Sequence, residues 1–190
     1  GGVTWSPVGW YDPQQSYRGG FIGGSVFALA LAPNTAYDAA AFAGTSSGIY
    51  RSSNWGENWY QSNNGLARLT VRAIAVAPGE PATLLAGASF FEHLRFDRST
   101  PDEYDGNLQL STDGGQTWRD VSGRLDRVLR VAFSPGFVSD RTVFAATGTL
   151  GQHGFYSGGV HRSTDGGQNW TPVLRNLICP ALALSPNFPK

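Results

Sequence analysis

The residues between Ser89 and Gly106 could supply oxygen ligands, paired carboxylates or an aromatic recognition surface. Five of the chain's 14 acidic residues fall there: Glu92, Asp97, Asp102, Glu103 and Asp105. Phe90, Phe91, His93, Arg95, Phe96, Arg98 and Tyr104 are interleaved with them. Three readings fit this mixture. A solvated loop would pair its charges locally. Exposed aromatics beside charges suit contact with a protein or a glycan. Asp97, Asp102, Glu103 and Asp105 are hard oxygen donors of the kind that hold Ca²⁺, although their spacing is not that of an EF-hand loop. No other cofactor is expected. Glycoside hydrolysis needs two carboxylates facing across a cleft, about 5–10 Å apart. Glu92 and Asp97 are the members this loop offers, and nothing in the sequence singles them out. A second cluster, Gln152, His153, Phe155 and Tyr156, lies between Gly148 and Gly158. The three histidines show no metal-ligand spacing, and no Ser–His–Asp elbow is visible.

Other acids recur in a fixed setting. Ser163-Thr164-Asp165-Gly166-Gly167-Gln168-Asn169-Trp170 has a near-copy at Ser111-Thr112-Asp113-Gly114-Gly115-Gln116-Thr117-Trp118. A worn copy stands at Ser52-Ser53-Asn54-Trp55-Gly56-Glu57-Asn58-Trp59. An Asp in a tight turn accepts hydrogen bonds from backbone N–H groups just ahead of it. Gly supplies a positive φ, and the Trp offers a large apolar face with one donor. Each octet therefore reads as a β-hairpin turn. The structural set is Asn54, Gly56 and Trp59; Asp113, Gly115 and Trp118; Asp165, Gly167 and Trp170. Trp55 replaces the first glycine, so a distorted turn is expected there. His161 occupies the strand position that Tyr50 holds in the first copy and is expected to be structural.

The octets resemble the Asp-box, or BNR, repeat of sialidases, sortilin-type receptors, some glycoside hydrolases and photosystem II assembly factor-like proteins. The two intact copies match every motif position, and the wider repeat covers nearly the whole chain. The resemblance implies an all-β fold, a β-propeller of four-stranded antiparallel blades. It says much about fold and little about function.

The elements that must position these residues follow the same repeat. Apolar runs ending in a proline open at Val26, Val71, Val128 and Pro180. Their prolines, 33, 78, 135 and 186, are 45, 57 and 51 residues apart, which is the scale of a propeller blade. The expected organisation is the end of a preceding blade and a connection over 1–24, then blades over 25–70, 71–127 and 128–179. The first strand of a further blade follows over 180–190. Three full blades plus partial blades at both ends do not close a ring. The chain is read as a fragment of a larger propeller, the alternative being chains that associate edge to edge. The two insertions lie on 2–3 loops and the octets on 3–4 loops, which places them on opposite faces. The face away from the octets is the expected binding face, carrying Phe90, Phe91, Glu92, His93, Arg95, Asp97, Tyr104, His153, Phe155 and Tyr156.

Composition narrows the partners. Lys plus Arg and Asp plus Glu are 14 each, which argues against nucleic acid or an anionic membrane surface. No apolar run is long enough for a membrane span. The single Cys179 excludes an internal disulfide framework and reads as a buried thiol. Methionine is absent, and no signal peptide is seen; both fit a processed piece of a longer protein.

Resemblance to sialidases would imply an arginine triad and a Tyr–Glu nucleophile pair. Their Phe-Arg-Ile-Pro motif has no match, and Tyr17-Arg18-Gly19-Gly20 does not replace it. No catalytic residue is assigned. The phrase from Ser134 to Thr147 is similar to the linking strand of bacterial surface proteins of this kind. The expected function is a non-catalytic protein-interaction or assembly scaffold, part of a larger protein that is extracellular, at the cell surface or periplasmic. The alternative is a glycoside hydrolase whose catalytic residues lie mostly outside this chain.

Overall fold

A computed structural model describes residues 24–32, 40–79, 82–89, 106–123, 125, 127–150 and 156–188. The strands are β1 (Val26–Leu31), β2 (Ala41–Thr45), β3 (Gly48–Ser52), β4 (Tyr60–Gln61), β5 (Thr70–Val76), β6 (Leu84–Ser89), β7 (Gly106–Ser111) and β8 (Arg119–Asp120). They continue with β9 (Val128–Phe133), β10 (Val143–Leu150), β11 (Tyr156–Ser163) and β12 (Thr171–Arg175), and one turn of helix, α1 (Phe137–Asp140), precedes β10. The strands form three four-stranded antiparallel sheets, each a meander in chain order. Among the described residues the protein is all-β, with one turn of helix.

The sheets stack through alternate side chains, as the period of two in a strand requires. One face of the middle sheet turns Leu84, Ala86, Ala88 and Trp118 toward Phe42, Ile49 and Ala40 of the first sheet. Its other face turns Leu85, Leu108 and Leu110 toward Val143 and Ala145 of the third. Fully buried residues such as Phe42 and Leu85 each stabilise the stack by about 1.5–3 kcal/mol. Strand β5 touches both β1 and β9, so the first strands of the three sheets run side by side.

Each first strand carries a β-bulge near its start. Val26 pairs with Thr45 and Ala28 with Gly44, leaving Phe27 outside the ladder. Val71 pairs with Ala88 and Ala73 with Gly87, leaving out Arg72. Val128 pairs with Thr147 and Arg130 with Ala146, leaving out Leu129. The registers also fix direction. The bulged start of β5 lies beside the end of β6, where Ser89 pairs with Gly106. The octet turns leave the opposite end of each sheet.

Two details depart from the sequence reading. The β10–β11 ladder runs on to Leu150 paired with Tyr156, so much of the second insertion is an extension of the hairpin. The phrase after Ser134 makes α1 rather than a strand alone. Phe137 is buried edge-on against Phe133, with ring centroids 4.8 Å apart. Ser134 Oγ donates to Asp140 Oδ2 at 2.6 Å, and the Thr142 N–H to Asp140 Oδ1 at 2.7 Å. Cys179 is a free, half-buried thiol, and its N–H donates to the Thr147 carbonyl. Residues 179–188 join no ladder among the described residues. Phe188 nonetheless packs edge-on against Phe144, with centroids 5.7 Å apart.

Candidate functional site

The octet turns are built almost identically. In the second, Ser111 Oγ donates to Asp113 Oδ1 at 2.7 Å and accepts the Gly115 N–H at 2.9 Å. Asp113 Oδ1 also accepts the Thr117 N–H at 3.0 Å, while Oδ2 accepts the Thr117 hydroxyl at 2.5 Å. In the third, Ser163 Oγ donates to Asp165 Oδ1 at 2.7 Å. That oxygen also takes the N–H groups of Gln168 and Asn169, at 2.9 and 3.0 Å, and Oδ2 takes the Asn169 amide at 2.7 Å. Burial alone would raise the Asp165 pKa. The donors from Ser163, Asn169 and Gln168 outweigh it and hold the carboxyl at about 2. Asp113 is lowered by the same balance, with burial opposing its donors Thr117, Ser111 and Gln116. Carboxylates held this way stay ionised at neutral pH, the opposite of what a general acid requires.

The first octet keeps the turn with a different residue set. Asn54 Oδ1 accepts the Ser52 hydroxyl at 3.0 Å and the Asn58 N–H at 2.9 Å, and the Gly56 N–H donates to Ser52 Oγ at 2.9 Å. The distortion expected at Trp55 does not occur. Trp55 adopts φ 60°, close to the 71° and 83° of Gly114 and Gly166. A non-glycine residue meets about 1–2 kcal/mol of strain there. Its side chain is 85% exposed, so no clash adds to that strain.

The second glycine of each intact octet also has a packing role. A Cβ on Gly115 would stand 2.8 Å from the Phe42 ring of the preceding sheet, and one on Gly167 would stand 3.0 Å from Leu85 Cδ1. Both glycines have φ near 90°. Trp118 Nε1–H donates to the Ser62 carbonyl at 2.8 Å, and the Trp118 N–H to the Asn64 carbonyl at 2.9 Å. Trp59 and Trp170 instead donate to Gly56 and Gly167 of their own turns. The octets thus interlock neighbouring sheets as well as closing hairpins.

Beside the second octet turn a cleft of about 290 Å³ opens against the outer edge of the first sheet. Arg51, Tyr60, Gln61, Asn64 and Gln116 line it, and no carboxylate does. It has the makings of a polar contact site. Sequence reading missed it because its walls come from two different repeats.

Of the expected binding residues, Phe90, Phe91, Glu92, His93, Arg95, Asp97, Tyr104, His153 and Phe155 lie outside the described residues. So do the Ca²⁺ candidates Asp97, Asp102, Glu103 and Asp105. Tyr156 begins β11. His161 pairs with Ala145 within the third sheet, as Tyr50 pairs with Ala43 in the first. No group of three or more metal-ligating side chains occurs among the described residues, and no described helix is long and apolar enough to cross a membrane.

No protein-family model and no curated protein matches the chain. Among solved structures it is similar to an ancestral GH74 enzyme, at 25% identity and a TM-score of 0.56, over 82% of this chain and 19% of that one. It is also similar to the GH74 enzyme of Niastella koreensis, at 24% identity and a TM-score of 0.52, over 78% of this chain and 22% of that one. The chain spans about a fifth of the length of these structures.

Proposed function

We propose that the chain is a section of a β-propeller built from Asp-box repeats, and that it scaffolds and binds rather than catalyses. One observation carries this. The octet acids Asp113 and Asp165 spend their acceptor capacity on their own turns, which is the behaviour of structural carboxylates. The three stacked meanders, with first strands side by side, support the propeller reading. The loop end of the sheets, where 90–105 and 151–155 depart, is the proposed contact face for a protein partner or larger assembly. An extracytoplasmic, bacterial setting belongs to the same proposal.

A second reading is favoured by the likeness to an ancestral GH74 enzyme at 25% identity. GH74 denotes a glycoside hydrolase family, so carbohydrate is the ligand class this reading implies. The test is incubation of a longer polypeptide that contains this chain with a panel of aryl-glycosides. The scaffold reading expects no turnover. Turnover that disappears in Glu92→Gln or Asp97→Asn would overturn it.

A further inference from the structure

Among the chain's asparagines only Asn64 is followed by glycine. Asn64 and Gly65 are both exposed, in the connection between β4 and β5. Asn64 lines the open cleft beside the second octet turn. Its backbone carbonyl accepts the Trp118 N–H at 2.9 Å, a bond that joins the first sheet to the second. Among the described residues no hydrogen bond ties up the Asn64 side-chain amide or the Gly65 N–H.

This pairing sets up an intramolecular reaction. The main-chain nitrogen that follows an asparagine can attack the side-chain amide carbon and close a five-membered ring. A Cβ on the attacking residue hinders the approach, and glycine has none. Nearby and comparable residues each lack a requirement. Asn63 is held at both ends of its amide: Oδ1 accepts the Ile49 N–H at 2.8 Å, and Nδ2 donates to the Ser47 carbonyl at 3.4 Å. Asp113 and Asp165 also precede glycine, but their carboxyls are ionised and held by several donors. An ionised carboxylate resists attack by a nucleophile. Asn54, Asn58 and Asn169 each precede a tryptophan. Gly65, for its part, is demanded by the packing. It has φ 80°, and a Cβ there would collide with the Trp118 carbonyl oxygen. The close approach that joins the two sheets therefore requires the residue that leaves Asn64 open to attack.

We propose that Asn64 is a site of spontaneous deamidation, and that its isoaspartyl product loosens the first sheet from the second. The Gly65 nitrogen forms a bond to the Asn64 side-chain carbonyl carbon. The bond from that carbon to Nδ2 breaks, and ammonia leaves with the proton that the Gly65 nitrogen gives up. The cyclic imide then takes up one water and opens at either carbonyl, to aspartate or isoaspartate. No oxidation or reduction is involved. In the isoaspartyl form the main chain runs through the former side-chain carbonyl. The carbonyl that accepted the Trp118 N–H becomes a free carboxylate on a branch, and the loop that seats Gly65 against Trp118 gains a methylene. The aspartyl form keeps the main chain and the Trp118 acceptor. Both products put a carboxylate into the cleft that Arg51 also lines.

The test is incubation of the folded whole chain at mildly alkaline pH, which favours loss of the attacking proton, followed by peptide mapping and isoaspartate-specific enzymatic methylation. Modification is expected at Asn64 ahead of every other asparagine. Its rate should lie within about tenfold of that of a short peptide with the sequence of residues 61–68, because an exposed connection offers little protection. Hydroxylamine, which attacks the imide, should cut the chain between Asn64 and Gly65. Asn64→Gln, which cannot close the five-membered ring, should abolish both signals while the chain stays folded. An Asn64 that stays intact in the folded chain while the peptide reacts overturns the site. Faster reaction at Asn63 overturns it as well. The consequence for the sheets is read by separating the isoaspartyl form and comparing its urea unfolding midpoint with that of fresh Asn64→Asp. The isoaspartyl form should unfold at lower urea, and Asn64→Asp close to wild type. Equal midpoints for the two forms overturn the loosening, because charge alone would then account for any change.

Discussion

The two ends of these sheets handle polar groups in opposite ways. At the octet end, Asp113 and Asp165 each accept three or more hydrogen bonds from residues within four positions of them. At the bulge end, the Arg72 guanidinium lies over the Phe27 ring, and its Nε is buried without a hydrogen-bond partner. The first arrangement is closed, and its chemistry is used up in making a turn and gripping a neighbouring sheet. The second leaves one buried N–H without an acceptor. Sequence reading places the expected binding face away from the octets, and acids whose acceptors serve their own turns have little left to offer a ligand.

Changing the octet glycines is the strongest way to break that comparison. If the octet end is a structural lock, Gly115→Ala should cost about 2–5 kcal/mol: roughly 1–2 for a Cβ at positive φ and a further 1–3 for forcing the Phe42 ring aside. Gly114→Ala shares the positive φ, but its Cβ meets nothing within 4 Å. It should therefore lose only the conformational part, about 1–2 kcal/mol. Urea unfolding of both variants separates the two contributions. Equal losses would mean that Gly115 matters for the turn alone and that the lock does not exist.

Much of this end was legible in sequence because the interactions are local. Ser111, Asp113, Gly115 and Thr117 lie within one turn, so their spacing is the geometry. The three hairpins and the strand that follows each Trp came out the same way. The inter-sheet contacts did not. Phe42 meets Gly115 only because two whole repeats stack, and no local pattern encodes that. The bulges were hidden for another reason. Val26-Phe27-Ala28-Leu29 reads as plain alternation, and the slip at Phe27 is decided by its pairing with β2. The α1 turn was missed because Pro135 and Gly136 look like breakers, while burial of Phe137 and the Ser134–Asp140 bond outweigh them.

The next test sharpens the comparison by grading the octet acid itself. Asp165→Ala removes the acceptor for one hydroxyl, two backbone N–H groups and one amide. By analogy with loss of a side-chain cap it should cost about 0.5–2 kcal/mol. Asp165→Asn keeps one acceptor oxygen, as Asn54 does in the first octet, and should cost less. Chemical denaturation of the two variants ranks them. An Asn as harmful as Ala would show that charge, rather than the acceptor, holds the turn.

The smallest effect is the pH dependence of that same carboxyl, and it decides between those two accounts. The Asp165 pKa falls from an ordinary 3.8 to about 2 in the folded chain, so the unfolded state binds the proton more readily. Its contribution is complete above the unfolded value and is lost as pH falls through about 4 to about 2. Asp113 is shifted in the same direction, so the wild type loses both contributions in that window. Asp165→Asn cannot titrate there. The stability gap between wild type and Asp165→Asn should therefore be widest above about pH 5 and narrow steadily toward about pH 2. Because the octet is near the surface, added salt should shrink the charge-dependent part further. Unfolding midpoints across this range, at two salt concentrations, provide the measurement. A gap that stays constant would mean that the ionised form is not what closes the turn, and that the octet end is less fully settled than its hydrogen bonds make it look.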